Sequence, residues 1–165
     1  ARGHGQIVRI RRDSDWNVPE PELTLVISPA GKIVGYTVGN DMSSRSIEAE
    51  NPLYLPQAKT YDHSAGIGPG VLVTGEGLSH QARIEMRIHR GGDIVFSGST
   101  DLSAFNRSFE ELVAWLFREM DFPDGVYLMT GTGIVPGSDF SLQAGDRIEI
   151  DIEAVGTLVQ TVTRL

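Results

Sequence analysis

Short apolar segments rich in β-branched residues, separated by glycine and proline, run through almost the whole chain. Nineteen glycines and eight prolines are spread over its 165 residues. Within residues 82–90, Ile84, Met86 and Ile88 alternate with polar and charged residues. Alternation with a period of two is typical of a strand that buries one face. We predict strands over residues 23–27, 33–38, 70–74, 82–90, 94–99, 147–155 and 157–163.

One segment has the helical period instead. Ser108 occupies the position of an N-cap, and Glu111 follows it at the spacing of a capping box. Apolar residues then recur at helical spacing, at positions 112, 113, 116 and 117. The chain has no internal repeat and no linker-like stretch. The predicted fold class is therefore mainly β with one main helix (α+β), in a single domain over residues 1–165.

The bulk composition excludes several classes of protein. The net charge of −8 disfavours a nucleic-acid partner, and the lack of cysteine excludes disulfides and thiolate metal sites. No apolar run approaches the roughly 20 residues that a membrane-spanning helix needs. The polar, glycine-rich N-terminus does not resemble a signal peptide. We therefore expect a cytoplasmic protein with no membrane and no nucleic-acid partner.

The only basic cluster of the sequence consists of Arg9, Arg11 and Arg12, and it is followed by Asp13 and Asp15. Mixed charges at alternating positions are typical of a solvated strand face. Contact with an anionic ligand is the alternative interpretation of the three arginines.

A pair of carboxylates within a proline-rich stretch is the most informative short motif. Glu20 and Glu22 are two residues apart, so their side chains share a face in extended backbone. Pro19 and Pro21 stiffen this segment and argue against a central strand. Like charges held together are unfavourable unless a cation neutralises them.

Asp41 is a third carboxylate that the chain can return to this pair, because a turn at residues 28–31 lets it double back. Three oxygen ligands without a cysteine or histidine cluster favour Mg²⁺, with Mn²⁺ or Ca²⁺ as substitutes. The alternative is that all three residues are ordinary surface acids.

Lys59 is the candidate for proton transfer. It follows a segment rich in proline and leucine, residues 51–56, which predicts an apolar environment for its amine. A desolvated lysine beside a divalent cation has a lowered pKa, which suits proton transfer next to a carbonyl group. Asp62 is expected to orient Lys59 or the ligand shell. An ordinary solvated lysine is the alternative.

A glycine-rich loop at residues 130–133 is the third candidate. The backbone N–H of Gly131 and the hydroxyl of Thr132 are suited to hold a carboxylate or carbonyl oxygen of a substrate. The loop is neither a Walker nor a Rossmann motif, since it lacks the lysine or the third glycine at the required offset.

These motifs, taken in order, resemble the fumarylacetoacetate hydrolase family. The matching stretches are E-x-E at 20–22, GYTVGNDMSSR at 35–45, AKTYD at 58–62, GPG at 68–70, TGT at 130–132 and AGDRIEI at 144–150. By this resemblance, Glu20, Glu22 and Asp41 match the three carboxylate ligands of the family's Mg²⁺. Lys59 matches its active-site lysine, which contacts the substrate near the metal.

The resemblance also assigns roles to two further residues. Thr132 matches a threonine that binds the carboxylate or carbonyl end of the substrate, and Arg45 matches an arginine with a loop-holding role. The implied fold is the rolled, mixed β-sheet of the family's C-terminal catalytic domain, in a homodimer or larger homo-oligomer. The family's catalytic domain has a further strand before the Arg11 region, so we expect this chain to lack an N-terminal strand and an N-terminal domain.

Within the family, residues 11–23 and 50–59 are similar to members that dehydrate a sugar-derived 2-keto acid. The function implied is a Mg²⁺-dependent lyase that converts a 2-keto-3-deoxy pentonate to 2,5-dioxopentanoate through a metal-stabilised enolate. An acylpyruvate hydrolase or oxaloacetate decarboxylase of the same family is the alternative enzyme. A non-catalytic domain that binds keto acids is the alternative of another class.

Overall fold

The computed structural model describes residues 1–164, and most of its regular structure is β. The strands are β1 (Ile7–Arg9), β2 (Asn17–Ile27), β3 (Ile33–Ser44), β4 (Ala65–Ile67), β5 (Arg83–Arg90), β6 (Asp93–Asp101), β7 (Val126–Met129), β8 (Arg147–Ile152) and β9 (Gly156–Thr163). The α-helices are α1 (Arg45–Glu50), α2 (Leu55–Lys59) and α3 (Phe109–Leu116). No helix within residues 1–164 is long and apolar enough to cross a bilayer.

The strands form two sheets that share one core. The four-stranded sheet has the order β4-β3-β2-β7 and is antiparallel throughout. The five-stranded sheet has the order β1-β9-β8-β5-β6, with β1 parallel to β9. Buried residues of both sheets, among them Leu23, Leu25, Met86 and Ile150, belong to one apolar cluster. Each such side chain stabilises the fold by about 1.5–3 kcal/mol when it leaves water.

The predicted fold class is confirmed, with corrections to several elements. The capping box is present, since the Ser108 hydroxyl accepts a hydrogen bond from the N–H of Glu111 at the start of α3. The predicted strand at 70–74 is wrong, because this segment forms only one isolated bridge, between Leu72 and Tyr36. Strands β1, β4 and β7 and helices α1 and α2 are too short to show a clear period in the sequence.

Strand β2 carries the proline-rich segment and pairs differently along its length. Its second half, Thr24–Ile27, lies between β3 and β7. Within residues 1–164 its first half pairs with β3 alone, so Pro19 and Pro21 lie where one edge of the strand has no partner strand. The argument against a central strand therefore holds for the proline half, whereas residues 24–27 of the predicted strand 23–27 lie between two strands. Proline is tolerated there because it has no N–H to donate, and no neighbouring strand needs a donor along this edge.

The turn before β8 is held by an ion pair whose carboxylate is buried and whose guanidinium is partly exposed. Asp146 is fully buried, and Arg90 donates to both of its carboxylate oxygens at 2.8 Å. Asp146→Ala removes the acceptor of the Arg90 bonds and of the bond from Gln143 N, whereas Arg90 is 32% exposed and stays solvated, so the free energy of unfolding should fall by about 1–3 kcal/mol. Urea titration measures this loss. The exposed Asp139→Ala is the control, and an equal loss in both variants would contradict the prediction.

Candidate metal centre

The pairing of β2 with β3 brings the three predicted carboxylates together. Glu20 lies directly opposite Asp41, so the two side chains share a face, and Glu22 follows two residues later on that face. One oxygen from each of the three lies within 4.8 Å of the others. Glu20 and Glu22 are only 6% and 4% exposed. The sequence interpretation of ordinary surface acids is therefore wrong.

Lys59 lies at the end of α2 and reaches into this carboxylate cluster. Its Nζ donates to Glu20 Oε2 at 2.6 Å, to Asp41 Oδ2 at 2.9 Å and to Ser43 Oγ at 2.7 Å. Burial by itself lowers the pKa of Lys59, but the bonds to the Glu20 and Asp41 carboxylates outweigh it and the pKa is raised. This raised pKa belongs to the cluster without a cation, and the lowered pKa expected for Lys59 beside a bound divalent cation stays a prediction.

Glu22 is the carboxylate that Lys59 does not contact. Burial raises its pKa to about 7, and the nearby charges of Asp41 and Glu20 add to this, while the bond from Gly131 opposes it. That bond joins Gly131 N to Glu22 Oε2 at 2.6 Å. Burial also raises the pKa of Asp41, although Lys59 opposes it. Three carboxylates thus share one ammonium, and the cluster has the oxygen donors and the excess negative charge that a hard divalent cation requires.

Arg45 follows β3 directly and lies at the border of the cluster. Its Nη1 is 3.7 Å from Glu20 Oε1 and 2.8 Å from Glu48 Oε2. Its guanidinium lies over the ring of Trp16, 5.6 Å from the centroid. These contacts tie the start of α1 to Glu20 and to the segment before β2.

Asp62 does not orient Lys59, and this part of the site prediction is wrong. Its side chain is 85% exposed, and its ion-pair contact is with Arg9 Nη1 at 3.6 Å. Helix α2 ends at Lys59, and the turn that follows carries Asp62 to the surface. Ser43 is the residue that instead holds the amine from the side of β3. It lies two residues after Asp41, so the period of a strand was the signal that could have found it.

The loop after β7 meets the cluster through its backbone. Thr130 anchors it, because both its N–H and its hydroxyl donate to Leu23 O on β2. Gly131 has a φ of 104°, which favours glycine, and its N–H points at Glu22. The Thr132 hydroxyl donates to Ile134 O and accepts from Ile134 N, both at 3.1 Å. Gly131 therefore joins the cluster, while the Thr132 hydroxyl is engaged within its own loop.

Comparison with known proteins shows the family to which the chain belongs. The family model described as "Fumarylacetoacetate (FAA) hydrolase C-terminal" matches residues 1–163. The chain belongs to the fumarylacetoacetate hydrolase family. This confirms the resemblance drawn from the motifs of the sequence.

Two relatives within the fumarylacetoacetate hydrolase family are highly similar to the chain. A probable 2-keto-3-deoxyxylonate dehydratase of Haloferax volcanii is 49% identical over 96% of the chain and 55% of its own length. The 2-dehydro-3-deoxy-D-arabinonate dehydratase of Saccharolobus solfataricus is 44% identical over 98% of the chain and 55% of its own length. The chain thus spans about half the length of the curated relatives it matches.

A solved structure has the same fold. It is a 2-keto-3-deoxy-D-arabinonate dehydratase complexed with magnesium and 2,5-dioxopentanoate, and it is 43% identical to the chain. It superposes with a TM-score of 0.95 over 99% of the chain and 58% of its own chain. The rolled β fold that the family resemblance implied is therefore confirmed.

The raised pKa of Glu22 predicts how the affinity for a divalent cation depends on pH. A carboxyl group with a folded-state pKa of about 7 must lose its proton before it can bind a cation. The apparent affinity for Mg²⁺ should therefore fall about tenfold between pH 8 and pH 6. Without a cation, the free energy of unfolding depends on pH in the opposite direction. Between pH 4.5 and 7 the folded chain binds a proton at Glu22 that the unfolded chain has lost, so the chain loses stability as the pH rises through this range.

Isothermal titration with MgCl₂ at the two pH values measures this change. Glu22→Gln has no group that titrates at this position and is the matched control for the stability effect. An affinity for Mg²⁺ that does not change over this range would contradict the raised pKa.

Proposed function

We propose that this chain is the catalytic part of a Mg²⁺-dependent dehydratase that converts 2-dehydro-3-deoxy-D-arabinonate, a 2-keto-3-deoxy pentonate, to 2,5-dioxopentanoate. The observation that carries the proposal is the convergence of Glu20, Glu22 and Asp41 within reach of one cation. The similarity to two sugar-acid dehydratases over nearly the whole chain supports the choice of reaction. A similar structure that holds magnesium and 2,5-dioxopentanoate supports the metal and the product.

In this proposal, Glu20, Glu22 and Asp41 hold Mg²⁺, for which Mn²⁺ or Ca²⁺ can substitute. The donor set fits the ion, since it consists of carboxylate oxygens alone and carries more negative charge than Lys59 neutralises. Bound Mg²⁺ supplies a Lewis acid for the 2-keto group of the substrate, which makes the C3 proton more acidic.

The exposure of the cluster indicates the side from which a substrate approaches. Asp41 and Lys59 are 19% and 26% exposed in their side chains, whereas the side chain of Glu20 is 8% exposed. A keto acid therefore reaches the cluster from the side of Asp41 and Lys59. We assign its carboxylate or carbonyl end to the loop of Gly131 and Thr132, which borders the cluster. Binding there requires the Gly131 N–H to exchange Glu22, or the Thr132 hydroxyl to exchange Ile134 O, for an oxygen of the substrate.

The reaction removes one water molecule and needs a proton carrier. Carbon 3 loses a proton, carbon 4 loses its hydroxyl group, and the unsaturated product tautomerises to an aldehyde at carbon 5. Lys59 is the group that carries protons in this scheme, because its Nζ lies between two of the proposed ligands and its side chain is partly exposed. Ser43 and the carboxylates fix the position of Nζ, which is what general acid–base catalysis requires.

A substrate comparison tests the proposal. The protein is incubated with Mg²⁺ and 2-dehydro-3-deoxy-D-arabinonate, and the formation of 2,5-dioxopentanoate is followed by trapping its aldehyde. Acylpyruvate and oxaloacetate are the parallel substrates, and EDTA is the control for the metal. Turnover of these two without turnover of the sugar acid would replace the dehydratase by a hydrolase or decarboxylase. Binding of keto acids without any turnover would leave a non-catalytic binding domain.

The oligomeric state, the location in the cell and the domain boundaries stay predictions. A homodimer or larger homo-oligomer is expected and is measured by light scattering coupled to size-exclusion chromatography. The cytoplasmic location and the single-domain boundaries, residues 1–165, also stay predictions.

A further inference from the structure

A basic cleft lies beside the metal centre, at the turn that follows α2, and the proposed function does not use it. It has a volume of about 310 Å³, and it is lined by Arg9, Arg11, Arg12, Asp13, Tyr61 and Asp62. Its three arginines stand out in a chain that carries a net charge of −8. We propose that this cleft binds a dianionic oxyanion, of the phosphate or dicarboxylate type, at a site separate from the carboxylate cluster.

The charges of the cleft do not cancel. Asp13 neutralises Arg11, which donates to both of its carboxylate oxygens at 2.8 and 2.6 Å. Among the described residues, Arg9 forms an ion pair with Asp62 alone, at 3.6 Å, and the Asp62 side chain is 85% exposed. Arg12 is exposed, and its guanidinium makes no ion pair with another residue in the 1–164 range. Two guanidinium groups are therefore opposed by one solvated carboxylate, which leaves a net positive charge.

The walls of the cleft are fixed before any ligand binds. Arg11 also donates to Gln57 O at 3.1 Å, and its guanidinium lies 5.5 Å from the centre of the Tyr61 ring. The Tyr61 hydroxyl in turn bonds to Arg9 O and to Met42 O, at 3.2 and 3.1 Å. The side chains of Arg9 and Arg11 are each only 18% exposed. They are thus not the freely solvated strand face that the sequence pattern favoured, and a rigid site loses little entropy on binding.

The recognition chemistry follows from the shape of the guanidinium group. Arginine presents paired N–H donors in a planar fork that matches two oxygens of a phosphate or carboxylate group. Burial without a partner is costly for such donors, and the Nε atom of Arg9 is buried with no hydrogen-bond partner among the described residues. A halide offers one acceptor atom to a fork of two donors, so the cleft favours an oxyanion, and the two guanidinium groups of Arg9 and Arg12 suit a ligand with two negative charges.

Inorganic phosphate is the probe, with malonate as the dicarboxylate. Each is titrated into the protein at constant ionic strength and without a divalent cation, and the backbone amide signals of Tyr61 and Asp62 are followed by NMR. The cation-free buffer makes the result independent of the proposed dehydratase function. We expect saturable binding, and the tighter of the two probes identifies the type of oxyanion.

Two exposed variants place the site in the cleft. Arg12→Gln removes one guanidinium and should weaken binding about tenfold, the equivalent of roughly 1.4 kcal/mol. Asp62→Asn removes the competing carboxylate and should tighten binding by about threefold or more. Arg83→Gln, a change at a 61% exposed arginine on β5, is the matched control and should leave binding unchanged. No saturable binding of either probe, or equal affinities in all the variants, would overturn the proposal.

Discussion

Glu22→Gln is expected to abolish Mg²⁺ binding and enzyme activity together while the chain stays folded. The substitution removes one of three carboxylates whose oxygens lie within 4.8 Å of each other. It preserves the shape of the side chain and an oxygen that can accept the bond from Gly131. We expect the affinity for Mg²⁺ to fall by at least about a hundredfold, because a neutral amide replaces a charged ligand of a hard cation.

The same variant should not lose stability without the metal. Glu22 is 4% exposed, and its burial raises the pKa to about 7, so the ionised form is unfavourable in the folded chain. Glutamine carries no charge, and Tm in EDTA should therefore equal or exceed that of the unchanged chain at pH 8. Thermal shift with and without MgCl₂ measures both effects. Retained activity in Glu22→Gln would refute the assignment of Glu22 as a ligand.

The period of two within β2 was sufficient to predict that Glu20 and Glu22 share a face. The position of Asp41 opposite Glu20 needed the structure, because it depends on a bulge between Val26 and Ile27. Val26 pairs with Gly35 and Ile27 pairs with Ile33, so Val34 is an extra residue of β3 that shifts the register by one. Without the bulge, residue 40 would lie opposite Glu20 and Asp41 would point to the other face. A one-residue irregularity of this kind leaves no mark in hydrophobic periodicity.

The environment of Lys59 was predicted less well for a related reason. Its place near the carboxylates came from the family motif, whereas the sign of its pKa shift depends on which side chains its amine contacts. Those contacts are set by the end of α2, a helix of five residues, and by the turn after it. Short helices show no apolar period, and turns of this type orient successive side chains differently. The same turn carries Asp62 outward and Tyr61 inward, which the adjacent positions in the sequence do not distinguish.

Lys59→Met should separate chemistry from metal binding. Methionine has a similar length but no amine, so the variant loses the group that we assign to proton transfer. General acid–base catalysis contributes about 10²–10⁴-fold, and we expect kcat to fall by about a thousandfold with little change in KM. Mg²⁺ affinity should rise, because Lys59 bonds to Glu20 and Asp41 and thus competes with a cation for the same oxygens.

A fall in kcat together with a rise in Mg²⁺ affinity would exclude loss of the metal as the cause of the lost activity. Titration calorimetry measures the affinity, and steady-state kinetics at saturating Mg²⁺ gives kcat and KM. Lys59→Arg is the matched variant, since it keeps the positive charge beside Glu20 but replaces the compact ammonium with a planar group that does not lose its proton. Lys59→Arg should therefore be as inactive as Lys59→Met. A methionine variant that lost Mg²⁺ binding and activity in parallel would show that Lys59 only holds the metal site in place. An arginine variant with full activity would show that only the positive charge of Lys59 is needed. The distinction matters because Lys59 donates to three oxygens of this centre, so its loss also leaves two carboxylates without their counter-ion in the absence of metal.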